Sequence, residues 1–394
     1  MKRRKTLRNG NGIVKELALL AAEAGGVKGD FGLGSPNDMP PWLAILRYIW
    51  ELINPFSKKH GYGLQNGMDE TRQAEADWHR ATYGIGLDPN ANITITEGSR
   101  SACIFALPEG GKVVLPQPYY PGHLDAIKAQ GCEPLFVPLI SAKNFALRVR
   151  ELLRQSGHGI SAVIFCLDNP VWLPCEVDVY REILRMAKEH NVLVVFDEAY
   201  RELVYHGPVT SVFDVKDILE YLPWIVITKS ASKAFAGAGW KVGVVISSPE
   251  RIASITKAKC LYSEGGNVPA QLAYATARRW CRRFPTKKLA RVYLHRAELT
   301  VSLLHKAGLK EVFVPQGGMF LWFQVPGNSE DFARELAKRG YTVRPGTIFG
   351  KEGRVRWCLR EPDRVTRGAC AAVCEVMKTA DVPAPTPIRA CDYL

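Results

Sequence analysis

The chain has 394 residues, 47% of them hydrophobic and 23% charged, with a formal charge of +13. That length and apolar fraction allow a large core and two domains or so, an ordinary globular composition. Its longest apolar stretches, such as Val192 to Phe196, are of strand length, far short of the roughly 20 residues a membrane span needs, which excludes a transmembrane helix.

At the N-terminus, Met1 to Arg8 is basic but runs into Asn9-Gly10-Asn11-Gly12 without an apolar core, so no secretory signal is expected and the cytoplasm is the default location. Ile13 to Ala24 patterns as an amphipathic helix, and its Glu16 and Glu23 argue against a transit peptide. The strand-like Ile93-Thr94-Ile95-Thr96 leads into Gly98-Ser99-Arg100 and then the apolar Ala102 to Leu107, an arrangement that sets backbone N–H groups and a hydroxyl at a helix start, where anions bind. Strands follow at Lys112–Leu115, Glu133–Val137, Ala162–Leu167, Val192–Asp197, Trp224–Thr228 and Val242–Ser247. Between them lie amphipathic stretches such as Val177 to His190, with Val179, Ile183, Leu184 and Ala187 on one face. This alternation predicts a large, doubly wound, mostly parallel α/β domain. Gly318 to Phe323 reads as a strand and Asp331 to Arg339 as a helix of a smaller α+β domain. The expected bounds are 46–275 for the large domain and 1–45 with 276–394 for the small one. Pro383-Ala384-Pro385-Thr386-Pro387 is linker-like.

Much of the positive charge gathers in Arg278, Arg279, Arg282, Arg283, Lys287, Lys288 and Arg291. With no recognition motif or interleaved aromatics, a solvated helix face is expected there and no nucleic-acid partner. None of the ten cysteines forms a Cys-x-x-Cys pair, and no metal site is expected; small buried thiols in a reducing compartment fit better.

Three strand ends carry chemistry. Val163 to Leu167 runs into Asp168-Asn169-Pro170; Val192 to Phe196 delivers Asp197-Glu198-Ala199-Tyr200; and Trp224 to Thr228 precedes Ser230-Ala231-Ser232-Lys233. Ligands of open α/β sheets bind at that edge. An amide, a carboxylate with a phenol, and a lysine flanked by hydroxyls would share it, and such a lysine is a candidate for condensing with a carbonyl group.

Asn-Pro, then Asp-Glu-Ala-Tyr, then Ser-x-Ser-Lys with Gly239-Trp240-Lys241-Val242-Gly243 beyond it resembles the fold-type I, pyridoxal-phosphate-dependent class I/II aminotransferases. The spacings are similar too, with 28 residues from Asn169 to Asp197 and 36 from Asp197 to Lys233. The resemblance reaches from Gly32-Leu33-Gly34-Ser35-Pro36 to Arg354-Val355-Arg356-Trp357, and His60-Gly61-Tyr62 and Gly98-Ser99-Arg100 are most similar to the alanine and LL-diaminopimelate branch.

The resemblance implies pyridoxal 5′-phosphate as cofactor and a homodimer. Lys233 would hold the cofactor and then shuttle the Cα proton, Asp197 would face the pyridine nitrogen, and Asn169 and Tyr200 would bond the ring oxygen. Tyr120 would stack on the ring. Ser99, Arg100, Ser230 and Lys241 would serve the phosphate, joined by Tyr62 from the other subunit. Arg356 would grip the substrate α-carboxylate and Gly34 would present backbone to the substrate. Arg354 shares a strand face with Arg356 and is its rival, with Arg360 also close.

Two positions depart from the pattern. Lys241 stands where the family usually has arginine, losing a bidentate fork that Arg100 would offset. Val171-Trp172 replaces a small polar pair, so a bulky indole is expected to reshape the pocket. The implied activity is transfer of an amino group from an α-amino acid to a 2-oxo acid by a ping-pong course. The alternative is a lyase or cyclase using the same cofactor. A non-enzymatic regulator would need a DNA-binding domain, and the residues before Gly34 are too few for one.

Overall fold

The computed structural model describes residues 10–56, 60–156, 159–207, 210–280 and 284–379, so the linker-like stretch at 383–387 lies outside the described residues. Apolar runs become strands: β1 (Gly29–Asp30), β2 (Ile93–Thr96), β3 (Lys112–Gln117), β4 (Glu133–Pro138), β5 (Ile160–Phe165), β6 (Leu193–Asp197), β7 (Ile225–Ser230), β8 (Gly243–Ile246), β9 (Phe320–Gln324), β10 (Tyr341–Thr342), β11 (Arg344–Pro345) and β12 (Arg354–Cys358). Two compact units result: residues 35–291 with 316–318, and residues 1–34, 292–315 and 319–394. The bounds expected from sequence were 45/46 and 275/276.

In the larger unit seven strands form one sheet in the order β2-β8-β7-β6-β5-β3-β4. Only β8 runs against its neighbours, pairing antiparallel with β2 and β7; the remaining pairs are parallel. Every residue of β6 and β7 is buried, as expected of strands covered on both faces. Alternation sorts their side chains into two cores. Val194, Phe196, Ile225 and Ile227 face one cluster with Ile183, Leu184 and Phe213, while Leu193, Val195 and Val226 face another with Ala102, Ile127 and Ile252. Each such side chain contributes roughly 1.5–3 kcal/mol by leaving water. The sheet is therefore doubly wound, as the alternating pattern predicts.

Because β2, β3, β5, β6 and β7 all point the same way, their carboxyl ends share one edge. That edge carries the three polar turns singled out above.

The smaller unit contains the antiparallel sheet β11-β12-β9 and the parallel pair β1-β10. Trp357 of β12 is fully buried and packs against Phe31 with ring centroids 4.2 Å apart. Asn328 starts the helix Ser329–Ala337 by accepting hydrogen bonds from the N–H groups of Glu330 and Asp331. The sequence placed strand and helix here correctly.

Candidate active site

The pairing of β5 with β6 and of β6 with β7 sets three strand ends side by side, with Phe165 opposite Phe196 and Asp197 opposite Thr228. Asp197 is 8% exposed, and a buried carboxylate needs partners. It has three. Thr228 Oγ1 donates to Oδ1 at 3.2 Å, the Ala199 N–H donates to the same oxygen at 3.2 Å, and His123 Nε2 lies 2.8 Å from Oδ2. Asn169, 4% exposed, stands at the end of the neighbouring strand.

His123 is a site residue that sequence reasoning missed. It sits on the helix Pro121–Ala129, which opens with a proline at its first turn; nothing in the local pattern says that this helix faces the end of β6. Tyr120 precedes it, with its ring edge-on to the His123 ring at 5.2 Å between centroids. The Tyr120 ring lies over Gly122, where an added Cβ would meet Tyr120 Cε1 at 2.4 Å. Glycine there is what seats the ring. Cys103, also missed, completes with His123 and Asp197 a group of three donors whose ligand atoms lie within 4.8 Å of one another. Burial pushes the Cys103 thiol well above its ordinary range, and Asp197 adds to the effect. Cys103 and His123 thus both pack against the buried Asp197.

Lys233 lies on a short helical turn, Ala231–Ala234, started by Ser230, whose hydroxyl accepts from the Ser232 N–H at 3.2 Å. Its Nζ stands 5.2 Å from the centre of the Tyr200 ring, and Tyr200 is buried. The structure thus brings Asp197, Tyr200 and Lys233 to one edge.

The corner for an anion is built by register. Thr96 and Ser230 both pair with Gly243 of β8, so the turn after β2 and the turn after β7 meet across that glycine. Gly98 takes the left-handed φ of 89° that starts the helix Ser99–Ala106. A Cβ on Gly243 would lie 2.4 Å from the Gly98 carbonyl carbon. The bare Gly243 therefore lets the β8 backbone approach the Gly98 turn, which opens the helix Ser99–Ala106. Lys241, two residues before β8, is exposed and holds a left-handed φ of 56°. Arg100 is turned elsewhere: its Nη2 pairs with Asp125 Oδ2 at 2.5 Å in an exposed contact. Tyr62 is 91% exposed.

Behind this edge lies a buried ion network that the sequence did not reveal. Arg278 donates through Nε to Glu75 at 2.8 Å and through both terminal nitrogens to Glu202 at 2.8 and 2.9 Å. Lys229 of β7 reaches Glu202 at 3.2 Å. Its ammonium and the Arg278 guanidinium lie 4.6 and 4.3 Å from the Trp78 ring. Burial works to raise the Glu202 carboxyl, yet Arg278 and Lys229 hold it down at about 2. The expectation of a solvated basic face is thereby corrected at Arg278, which is 2% exposed. Arg279 is half-buried and bonds Glu70 at 3.0 Å, whereas Lys287, Lys288 and Arg291 are exposed; Arg282 and Arg283 lie outside the described residues.

Trp172 is nearly buried. Its indole lies against Gly317 and Gly318, where an added Cβ would meet it at 2.7 and 3.1 Å, and the Arg201 guanidinium covers it at 5.1 Å. Two glycines make room for the bulk at this departure.

In the smaller unit Arg356 is 5% exposed. Its Nη2 donates to the Gly32 carbonyl at 2.9 Å, and its guanidinium stacks on Phe320 and Phe349 at 4.1 and 4.7 Å. This seat two residues from Gly34 distinguishes it from its rivals: Arg354 is half-buried on the same strand, and Arg360 pairs with Asp30 at 3.7 Å.

The sequence profile described as aminotransferase class I and II matches residues 35–373. The chain is 26% identical over 367 residues to the glutamate-pyruvate aminotransferase AlaC of Escherichia coli (strain K12), covering 89% of this chain and 86% of that protein. It is 27% identical over 360 residues to an LL-diaminopimelate aminotransferase of Natranaerobius thermophilus, covering 87% and 90%. Among solved structures, an aspartate aminotransferase of Thermotoga maritima superposes with a TM-score of 0.83 at 24% identity, covering 93% of this chain and 96% of that one, a likeness of fold.

Proposed function

Since the chain belongs to the class I and II aminotransferase family and is an aminotransferase, we propose that it binds pyridoxal 5′-phosphate at the strand edge of its larger unit and moves an amino group from an α-amino acid to a 2-oxo acid. The observation that carries this is the meeting of Asn169, Asp197, Tyr200 and Lys233 at the ends of β5, β6 and β7, with Asp197 braced by His123 and Thr228.

The residues present fit the cofactor. Gly243 lets its strand lie against the Gly98 turn at a helix start, Gly122 seats a flat tyrosine ring, and a buried, hydrogen-bonded carboxylate stands at the end of β6. When bound, the cofactor supplies the electron sink that an amino-acid carbanion requires. Everything else falls to the chain. Lys233 supplies the amine that takes and returns the Cα proton. Asp197 would keep a proton on the pyridine nitrogen, and His123, 2.8 Å from its Oδ2, would hold it in position for that task. Asn169 and Tyr200 would donate hydrogen bonds to the ring oxygen, and Tyr120 would stack on the ring. Ser99, Ser230, Lys241 and the backbone at Gly98 hold the phosphate, with Arg100 at its rim. Arg356 grips the substrate carboxylate with two parallel bonds, beside the Gly34 backbone.

A homodimer completes the site, with exposed Tyr62 of each subunit reaching the phosphate of the other. Trp42, Ile53, Phe56 and Leu261 are exposed by 67%, 68%, 91% and 80%, an apolar surface that a second copy would cover. Cytoplasmic location is in keeping with this reading, and among the described residues no helix is long and apolar enough to cross a membrane.

The test is spectroscopic. Protein reconstituted with pyridoxal phosphate should lose its visible absorbance on addition of one class of amino acid and regain it with a 2-oxo acid, without net release of ammonia. Ammonia release without an acceptor would instead indicate the lyase. A protein that takes up no cofactor would sink the reading.

A further inference from the structure

Asp168 and Arg201 lie immediately behind the Asn169 turn and are not used by the mechanism above. Asp168 is 2% exposed and Arg201 3%. Arg201 is spent on holding one loop: Nη1 donates to Asp168 Oδ1 at 3.2 Å and to the Leu173 carbonyl at 3.0 Å, and Nε donates to the Thr210 carbonyl at 2.7 Å. The Leu173 N–H closes the same loop onto the Leu167 carbonyl at 2.8 Å. Residues 168–173, Asn169 among them, are thereby stapled at their base.

The second oxygen of Asp168 is different. Oδ2 is buried without a hydrogen-bond partner among the described residues, and the residue lines a small cavity together with Phe165, Tyr180, Phe196, Asp197, Glu198 and Arg201. A buried carboxylate oxygen with no donor is costly when charged. The carboxyl can relieve that cost by taking up a proton.

We propose that Asp168 is a positioning residue for the reaction: through Arg201 it fixes the turn that presents Asn169, and through its own charge it sets the field in which Asp197 works. This rests on the reading of the strand edge as the cofactor site. The groups facing Asp168 are Arg201 and Glu198 above all, with Asp197 at the end of β6, Tyr180 on the helix Val177–Glu189, Cys166 after β5 and Cys175 before that helix. Burial pushes its carboxyl up to about 7, against the pull of Arg201 and with Glu198 and Asp197 adding to the rise. Below that pH the carboxyl is neutral; above it a negative charge stands beside Asp197 and favours every protonated, positively charged group in the site.

Asp168→Asn keeps the shape and an acceptor for Arg201 while removing the charge. The first measurement is urea unfolding of cofactor-free protein from pH 5 to 8.5, wild type against variant. A carboxyl whose folded pKa lies above its unfolded value favours folding at low pH and loses that contribution as pH rises towards the folded pKa. The wild type should therefore lose at least about tenfold in its folding constant relative to the variant between pH 5 and 7. The second is the absorbance titration of the cofactor-loaded proteins, whose midpoint should fall by roughly half a pH unit or more in the variant. A merely structural Asp168 would leave both unmoved, and either parallel unfolding curves or an unmoved midpoint overturns the proposal. Failure of the wild type to show any cofactor absorbance would sink the site reading and this role together. A normal wild-type spectrum with an unmoved midpoint sinks Asp168 alone. Should Asp168→Asn fail to fold, infrared difference spectra of wild-type protein labelled at aspartate carboxyls decide: loss of a carboxylic-acid band between pH 6 and 8 upholds the proposal, and its absence refutes it.

Discussion

His123 Nε2 and Asp197 Oδ2 stand 2.8 Å apart with their side chains 1% and 9% exposed. The imidazole thus takes up one oxygen of the carboxylate while Thr228 and the Ala199 N–H take up the other. Asp197→Asn should lower kcat by at least about 100-fold while KM changes little, because the lost interaction stabilises the reacting state more than the bound substrate. His123→Asn should lower kcat less, by roughly 10- to 100-fold, the worth of a hydrogen bond to a charged group. The double variant should show no more loss than Asp197→Asn alone. Steady-state kinetics on the three variants check this; an unchanged kcat with a raised KM would count against the role of Asp197.

Lys233→Ala should abolish turnover and leave the fold intact. Acid and base assistance alone is worth roughly 10² to 10⁴ in rate, and Lys233 is only half-buried between the core residues Ala231 and Ala234, which the substitution leaves in place. Retention of even a tenth of the wild-type rate in a folded variant would overturn the assignment.

Gly243→Ala should disturb the anion corner before it disturbs the sheet, since its Cβ would press on the Gly98 backbone at 2.4 Å. Cofactor affinity should fall at least about tenfold, the loss of a single charge-assisted hydrogen bond to phosphate. Equilibrium dialysis against pyridoxal phosphate measures it, and a variant binding as tightly as wild type would show that the Gly98 turn does not hold the phosphate.

Arg100 and Lys241 offer a sharper comparison. Arg100 is engaged by Asp125 in an exposed pair, whereas Lys241 stands two residues before the strand that joins the two glycine turns. Lys241→Met should weaken cofactor binding roughly tenfold or more, and Arg100→Ala by less than about threefold. If Arg100→Ala proves the more damaging, and the double variant is less than additive, Arg100 does compensate for Lys241 after all.

Arg278→Met should cost roughly 3–5 kcal/mol of stability, because Glu75 and Glu202 would be left buried with too little positive charge. Glu202 and His79 should also withdraw stability in acid, against the opposite contribution of Asp168. Glu202, held down at about 2, contributes stability above its unfolded pKa that is lost as pH falls from about 4.5 towards 2. His79, which burial lowers to about 4, opposes folding increasingly as pH falls from its ordinary 6.5 towards that value. Urea unfolding at pH 7, 5.5 and 4 in the Asp168→Asn background, where the opposing titration is removed, reads both, and a stability that rises as pH falls would contradict the network.

Strand positions, their mostly parallel arrangement and the polar turns after β5, β6 and β7 were all legible in the chain, because apolar runs of five or six residues bounded by Asn, Asp, Gly and Ser leave few alternatives to a buried strand. Asn169, Asp197 and Lys233 were singled out by that route, each at or just beyond a strand end. What the sequence could not say is which helices press against that edge. His123 and Cys103 come from helices far from Asp197 along the chain, and their contact exists only once those helices pack on the sheet. Arg278 misled for the same reason: it stands in a basic stretch of sequence, while its partners Glu75 and Glu202 come from distant parts of the chain, Glu202 being shared with Lys229 of β7. The charge of Asp168 is likewise invisible in the word Asp-Asn-Pro, since it depends on a buried oxygen, a cavity and Arg201. Local pattern determines where strands end. Only tertiary packing decides which charges are buried there together, because the free energy of a charge depends on what surrounds it in space.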